Sequence, residues 1–101
     1  MRRAARVDST QGPIVAALRS LGAICQSLGQ VGDGVPDLLV GWAGRNILLE
    51  VKQPAGPDGG ASKDGQRLNT EQILWHSRWR GQVAIVRSVD EAIKAVVGRR
   101  P

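Results

Sequence analysis

Val35-Pro36-Asp37-Leu38-Leu39-Val40-Gly41-Trp42-Ala43-Gly44-Arg45-Asn46-Ile47-Leu48-Leu49-Glu50-Val51-Lys52 is the stretch that decides the fold. Two apolar runs flank a short turn containing glycine, which is the pattern of a β-hairpin. With Ala43 and Gly44 at the centre of the turn, Trp42 pairs with Arg45, Val40 with Ile47 and Asp37 with Glu50. Strand side chains alternate between the two faces of a sheet, so Lys52 shares the face of Glu50. Asp37 and Glu50 then stand opposite each other on adjacent strands. Like charges so placed destabilise a strand pair. Two carboxylates and an ammonium at the end of an apolar hairpin therefore need a reason, and a bound divalent cation supplies one.

Upstream of the hairpin, Ile14, Ala17, Leu18 and Leu21 follow helical spacing. Asp8, Ser9 or Gly12 is available as the N-cap, with Pro13 in the first turn, and Gly22 fits the C-terminal stop. A short strand is expected over 23–28, then a glycine-rich loop around Asp33, then the hairpin over 36–53. The polar segment 54–67 holds Lys63, Asp64 and Arg67 among glycines and prolines, and it reads as a substrate-contacting loop. Asn69 and Gln72 form a capping-box pair that opens a second helix, with Leu68 and Ile73 placed for a hydrophobic staple. Gln72, Trp75 and Trp79 fall on one face of that helix. Val83 to Val86 reads as a buried strand, and Ser88 or Asp90 caps a last helix carrying Ile93, Val96 and Val97. The order is α-β-β-β-α-β-α, an α/β fold with a small central mixed sheet flanked by helices.

A chain of 101 residues has room for one domain, here 8–101, preceded by a basic arm over 1–7. Neither Phe nor Tyr is present, so the core must be aliphatic with three Trp as its large rings. No apolar run approaches the roughly 18 residues of a membrane span. The basic N-terminus lacks the apolar region of a secretory signal, so a cytoplasmic location is expected. The single Cys25 excludes an internal disulfide and reads as a small buried hydrophobe. A net charge of +5, dominated by Arg, points to a polyanionic partner, nucleic acid first. Arg2, Arg3 and Arg6 in the arm, with Lys63 and Arg67 in the polar segment, are the candidate backbone contacts.

Pro36-Asp37 followed by Glu50-x-Lys52 resembles the signature of the PD-(D/E)xK nuclease superfamily. Asp8-Ser9-Thr10-Gln11 before the first helix, and Leu68-Asn69-Thr70-Glu71-Gln72 opening the helix that reaches Trp75 and Trp79, look like its VRR-NUC branch of small phage-type nucleases. The resemblance covers roughly residues 8–95. It implies a restriction-endonuclease-like core, a phage or bacterial source, and Mg²⁺-dependent hydrolysis of DNA phosphodiesters, with Mn²⁺ able to substitute. It also implies branched or structured DNA as substrate, as in Holliday-junction resolvases, and a homodimer. Asp37 and Glu50 would ligate the metal together with the backbone carbonyl of Val51. Lys52 would orient or deprotonate the attacking water, or stabilise the transition state. Gln72 matches the family's helix glutamine, expected to bond Lys52 or the water; the capping box alone also accounts for it. Many relatives carry a helix-one glutamate near the metal, and Gln11 or Asp8 is the nearest substitute here.

Two carboxylates suffice for Mg²⁺, which keeps several of its waters. Replacing either one is expected to abolish cleavage and, by relieving like-charge repulsion, to raise stability in the absence of metal. Lone His76 is expected as a surface or partly buried residue of the second helix, and Trp42 at the hairpin tip is expected to meet DNA or a partner subunit. The competing readings are a nucleic-acid-binding module that keeps the fold without cutting, and an interaction protein of a replication or repair complex.

Overall fold

The computed structural model describes residues 9–54 and 67–98. These form three helices and four strands in the order expected: α1 (Gln11–Ser20), β1 (Ile24–Ser27), β2 (Leu38–Trp42), β3 (Arg45–Val51), α2 (Thr70–Arg78), β4 (Val83–Val86) and α3 (Val89–Val97). The strands make one mixed sheet in the order β1-β2-β3-β4, antiparallel except for the parallel β3–β4 pair. The parallel pair requires a crossover, and α2 lies within it.

The hairpin register is the one the sequence gives, Trp42 opposite Arg45 and Leu38 opposite Leu49. Ala43 and Gly44 both have positive φ, 50° and 78°. That is the two-residue turn whose twist matches the flanking strands. Gly accepts this conformation freely; Ala43 adopts it at some cost.

Strand alternation gives the sheet two unlike faces. Leu38, Val40, Leu49, Val51 and Val86 belong to the buried core with Ile14 and Leu18 of α1 and Ala92 and Val96 of α3. Each fully buried aliphatic side chain contributes roughly 1.5–3 kcal/mol relative to exposure. The other face carries Leu48, Glu50 and Lys52, and α2 approaches it. Farther along that face Ile24 is 73% exposed. The sheet is thus packed under α1 and α3 at the centre of one side, while on the other the buried positions are Leu48, Glu50 and Lys52.

Three local devices hold these elements. Gly22, with φ 96°, ends α1: its N–H donates to the Arg19 carbonyl and that of Ala23 to the Leu18 carbonyl, satisfying two helix-end acceptors. Trp42 Nε1 donates to the Leu21 carbonyl at 3.2 Å, and its ring packs on the core. It therefore pins the hairpin to the end of α1 rather than standing out for a partner. The Arg45 guanidinium donates to the Val96 carbonyl and, at 2.9 Å, to that of Val97, capping α3.

The helix starts match the sequence unevenly. Asn69 and Gln72 form both bonds of the capping box, each 2.9 Å. Ser88, not Asp90, caps α3. The N-cap of α1 is Thr10, which makes no side-chain capping bond, rather than Ser9 or Gly12; Asp8 lies outside the described residues. Among the described residues no helix is long and apolar enough to cross a membrane.

Candidate active site

The site forms where β2 begins and β3 ends. Asp37 sits one residue before β2, its carbonyl accepting the Leu28 N–H at 2.8 Å. Its Oδ2 accepts the Val51 N–H at 2.7 Å. The reason lies in the ladder. Leu48 and Lys52 donate their N–H groups to Gln82 and Val86 on the β4 side, so in β3 the even-numbered residues address β4 and the odd-numbered ones address β2. Continuing the β2–β3 register past Leu38 and Leu49 brings Pro36 opposite Val51. Proline has no N–H to donate. The Asp37 side chain takes the Val51 N–H, while the Val51 carbonyl points to the same side, where Pro36 offers no N–H.

Glu50 is 1% exposed. Gln72 Nε2 donates to its Oε2 at 3.2 Å, and His76 Nε2 lies 3.4 Å from its Oε1. Its carboxyl is pushed up from the ordinary range to about 8. Burial is the largest cause; the neighbouring Asp37 charge and a hydrogen bond with the Asp37 carboxyl add to it, and Lys52 pulls the other way. Lys52, 9% exposed, follows on the same face. Burial first, then the Lys52 charge, lowers the pKa of His76.

Helix α2 brings Gln72 and His76 to Glu50 as an i, i+4 pair on one face. The glycine-rich loop before the hairpin sets how closely it comes. Gly34 has φ 82°, and a Cβ there would stand 2.3 Å from the Glu71 carbonyl oxygen. Only glycine allows the loop this contact with the first turn of α2.

The structure brings Asp37, Glu50, Val51, Lys52 and Gln72 together as the sequence proposed. Gln72 completes the capping box, and its side chain also reaches Glu50. Its carboxamide bonds the carboxylate rather than Lys52. His76, expected as a surface or partly buried residue, is partly buried and is a second partner of Glu50. The signal for it was its place four residues after Gln72. Arg67 is exposed, two residues before the Asn69 cap. Arg2, Arg3, Arg6 and Lys63 lie outside the described residues, as does Asp8. Gln11 opens α1 beside a pocket of about 400 Å³ also lined by Arg19, Cys25 and Leu38. Burial raises the pKa of the Cys25 thiol, which fits a packing residue.

Among the described residues no group of three or more His, Cys, Asp or Glu is arranged to hold a metal ion. A hard cation does not require one. Two adjoining carboxyls, one of them buried, and the main-chain carbonyl opposite Pro36 make an oxygen set that suits Mg²⁺ or Mn²⁺ completed by water. Asp37, Glu50 and Val51 are the residues that could hold it. Comparison of the chain with protein-family models, curated proteins and solved structures finds no match.

Proposed function

We propose that this protein is a Mg²⁺-dependent endonuclease with a restriction-endonuclease-like core of the PD-(D/E)xK type, hydrolysing phosphodiester bonds of branched or otherwise structured DNA. The observation that carries the reading is the buried Glu50 carboxyl set against Asp37, with Lys52 on the same strand face. A monomer with no cation there bears the cost of two adjoining acids, which a divalent ion would offset.

The bound ion would neutralise charge on the phosphoryl oxygens and acidify a coordinated water. Gln72 and His76 fix the orientation of Glu50, so its oxygens stay aimed without reorganisation. Lys52 places a positive charge beside the carboxylates, where it meets the scissile phosphate and the attacking water. Asp37 ties its own position to the β3 backbone through Val51.

The branched substrate and the homodimer rest on family resemblance, and the cytoplasmic location on the N-terminal sequence. The net charge of +5 supports a nucleic-acid partner. The test is incubation of linear, flap, hairpin and four-way-junction DNA with Mg²⁺ or Mn²⁺, beside Lys52→Ala. Metal-dependent cleavage lost in the variant supports the proposal. DNA binding without cleavage by the parent would replace it with a non-cutting binding module, and absence of both activities with an interaction protein.

A further inference from the structure

The C-terminal half of α2 is built around two indoles that the proposed chemistry does not use. Trp75 and Trp79 are stacked, with ring centroids 4.7 Å apart and planes 19° from parallel. Trp79 remains 41% exposed. Such a pair, free to bury itself, would normally sit in a core that otherwise lacks large rings. Here it lines a cleft of about 390 Å³ with Asp33, Glu71, Leu74 and Arg78.

The pair is held in place. Trp79 Nε1 donates to the Gln82 carbonyl at 3.3 Å, and its backbone N–H to the Trp75 carbonyl at 3.1 Å. Gly81 lies so close that a Cβ would stand 2.9 Å from the Trp79 ring. Trp75 meets His76 edge to face, centroids 5.5 Å apart. His76 in turn touches Glu50. An aromatic surface therefore continues directly from the candidate catalytic carboxylate to solvent.

We propose that this cleft receives a single unpaired nucleobase of the DNA substrate, next to the phosphodiester that is cut. The inference rests on the nuclease reading for the class of ligand. The charges of the cleft argue for a base and not for backbone. Asp33 and Glu71 repel phosphate, whereas a neutral heterocycle lies against the indoles and offers its exocyclic amino group to carboxylate acceptors. Arg78 at the same cleft is the group that meets the flanking phosphate. Recognition of an unpaired base would direct cutting to junctions, bulges and ends without reading sequence.

The experiment compares two short duplexes, one carrying a single unpaired adenosine and the other an abasic residue at that position. Binding is followed by fluorescence anisotropy of a terminal dye, in EDTA so that nothing is cut. Base–aromatic stacking corresponds to a preference of roughly 5- to 150-fold for the base over the abasic site. The double variant Trp75→Leu/Trp79→Leu keeps apolar bulk without flat rings and should bind both duplexes equally. Equal affinity of the parent for the two duplexes overturns the inference, and that arm does not depend on how the variant folds. A preference that survives in a folded double variant also overturns it, because the base is then bound elsewhere. If sedimentation shows the parent to be a dimer that the double variant breaks, with no base preference, the surface belongs to a second copy of the chain. Metal-dependent cleavage of the same duplexes separates the two proposals. Cutting without base preference removes the cleft and leaves the nuclease; base preference without cutting does the reverse.

Discussion

The Val51 N–H donates to Asp37 Oδ2 at 2.7 Å, so the first carboxylate of the site is also a structural partner of the strand that carries the second. This changes what removal of Asp37 should do. Charge repulsion alone predicts that the metal-free protein gains stability. Asp37→Ala also orphans a backbone donor at a buried residue, at a cost of about 1–3 kcal/mol. We expect Asp37→Ala to lower the midpoint of thermal unfolding without metal. Asp37→Asn, which keeps an acceptor oxygen and loses the charge, should leave it unchanged or raised. Both variants should lose cleavage. Differential scanning calorimetry in EDTA decides the matter, and an Asp37→Ala protein more stable than Asp37→Asn would refute the structural role.

The buried Glu50 should give metal-free stability a particular pH dependence. Its pKa rises from 4.5 to about 8 on folding, so its contribution is full below 4.5 and is lost as pH rises through about 8. His76 has a lowered pKa and works in the opposite sense, its contribution being lost as pH falls below 6.5. Between pH 6.5 and 8 Glu50 acts alone, and stability should fall with rising pH. Urea titrations across that window should show the decline in the parent and a flat profile in Glu50→Gln. The same ionisation should make Mn²⁺ bind more tightly as pH rises, since the ion needs the carboxylate form.

The side chains around Glu50 should separate by their kinetics. Lys52→Ala removes a charge-stabilising or proton-handling group and should slow cleavage by roughly 100-fold or more at saturating DNA. DNA affinity should change little, because one phosphate contact is a small part of the electrostatic total. His76→Ala and Gln72→Ala leave both carboxylates present but loosen Glu50. Each should weaken Mn²⁺ binding by roughly 10- to 100-fold, measured by calorimetric titration. A Lys52→Ala enzyme that cuts normally but binds poorly would reduce Lys52 to a phosphate contact.

The hairpin, its register and the meeting of Asp37, Glu50 and Lys52 were legible because strand alternation and turn chemistry are local rules. Gln72 was legible as a helix cap for the same reason. The partners of Glu50 were harder to see, because the angle at which α2 meets the sheet is set by a contact between segments far apart in sequence. His76 looked solitary until that angle placed it beside a buried carboxylate. Trp42 misled in the other direction. A ring beside a turn reads as exposed, yet Leu21, just after α1, presents a carbonyl that its indole N–H can cap. The two acids expected to oppose each other do so, but Pro36, read only as part of a motif, turns out to be the residue that opens the ladder beside Val51.

Gly34 tests whether α2 is positioned by that distant contact. Its φ of 82° disfavours any side chain, and a Cβ would press on the Glu71 carbonyl oxygen at 2.3 Å. Since Glu71 is backbone in the first turn of α2, the strain cannot be relieved by a side-chain rotation. Either the loop or the helix must shift. No residue of α2 is fully buried, whereas the loop leads straight into the hairpin, so the helix is the part expected to yield. Gly34→Ala should therefore keep the sheet and the α1–α3 core while moving Gln72 and His76 away from Glu50. The readout is the carboxyl titration of Glu50 followed by NMR in the metal-free protein. With α2 withdrawn and water admitted, the burial that is the largest cause of the shift is relieved, and the Glu50 pKa should drop from about 8 toward its ordinary value of 4.5. Circular dichroism should change little, and cleavage should fall without loss of DNA binding. An unaltered Glu50 titration in a folded Gly34→Ala protein would show that α2 is held at the site by something other than this loop.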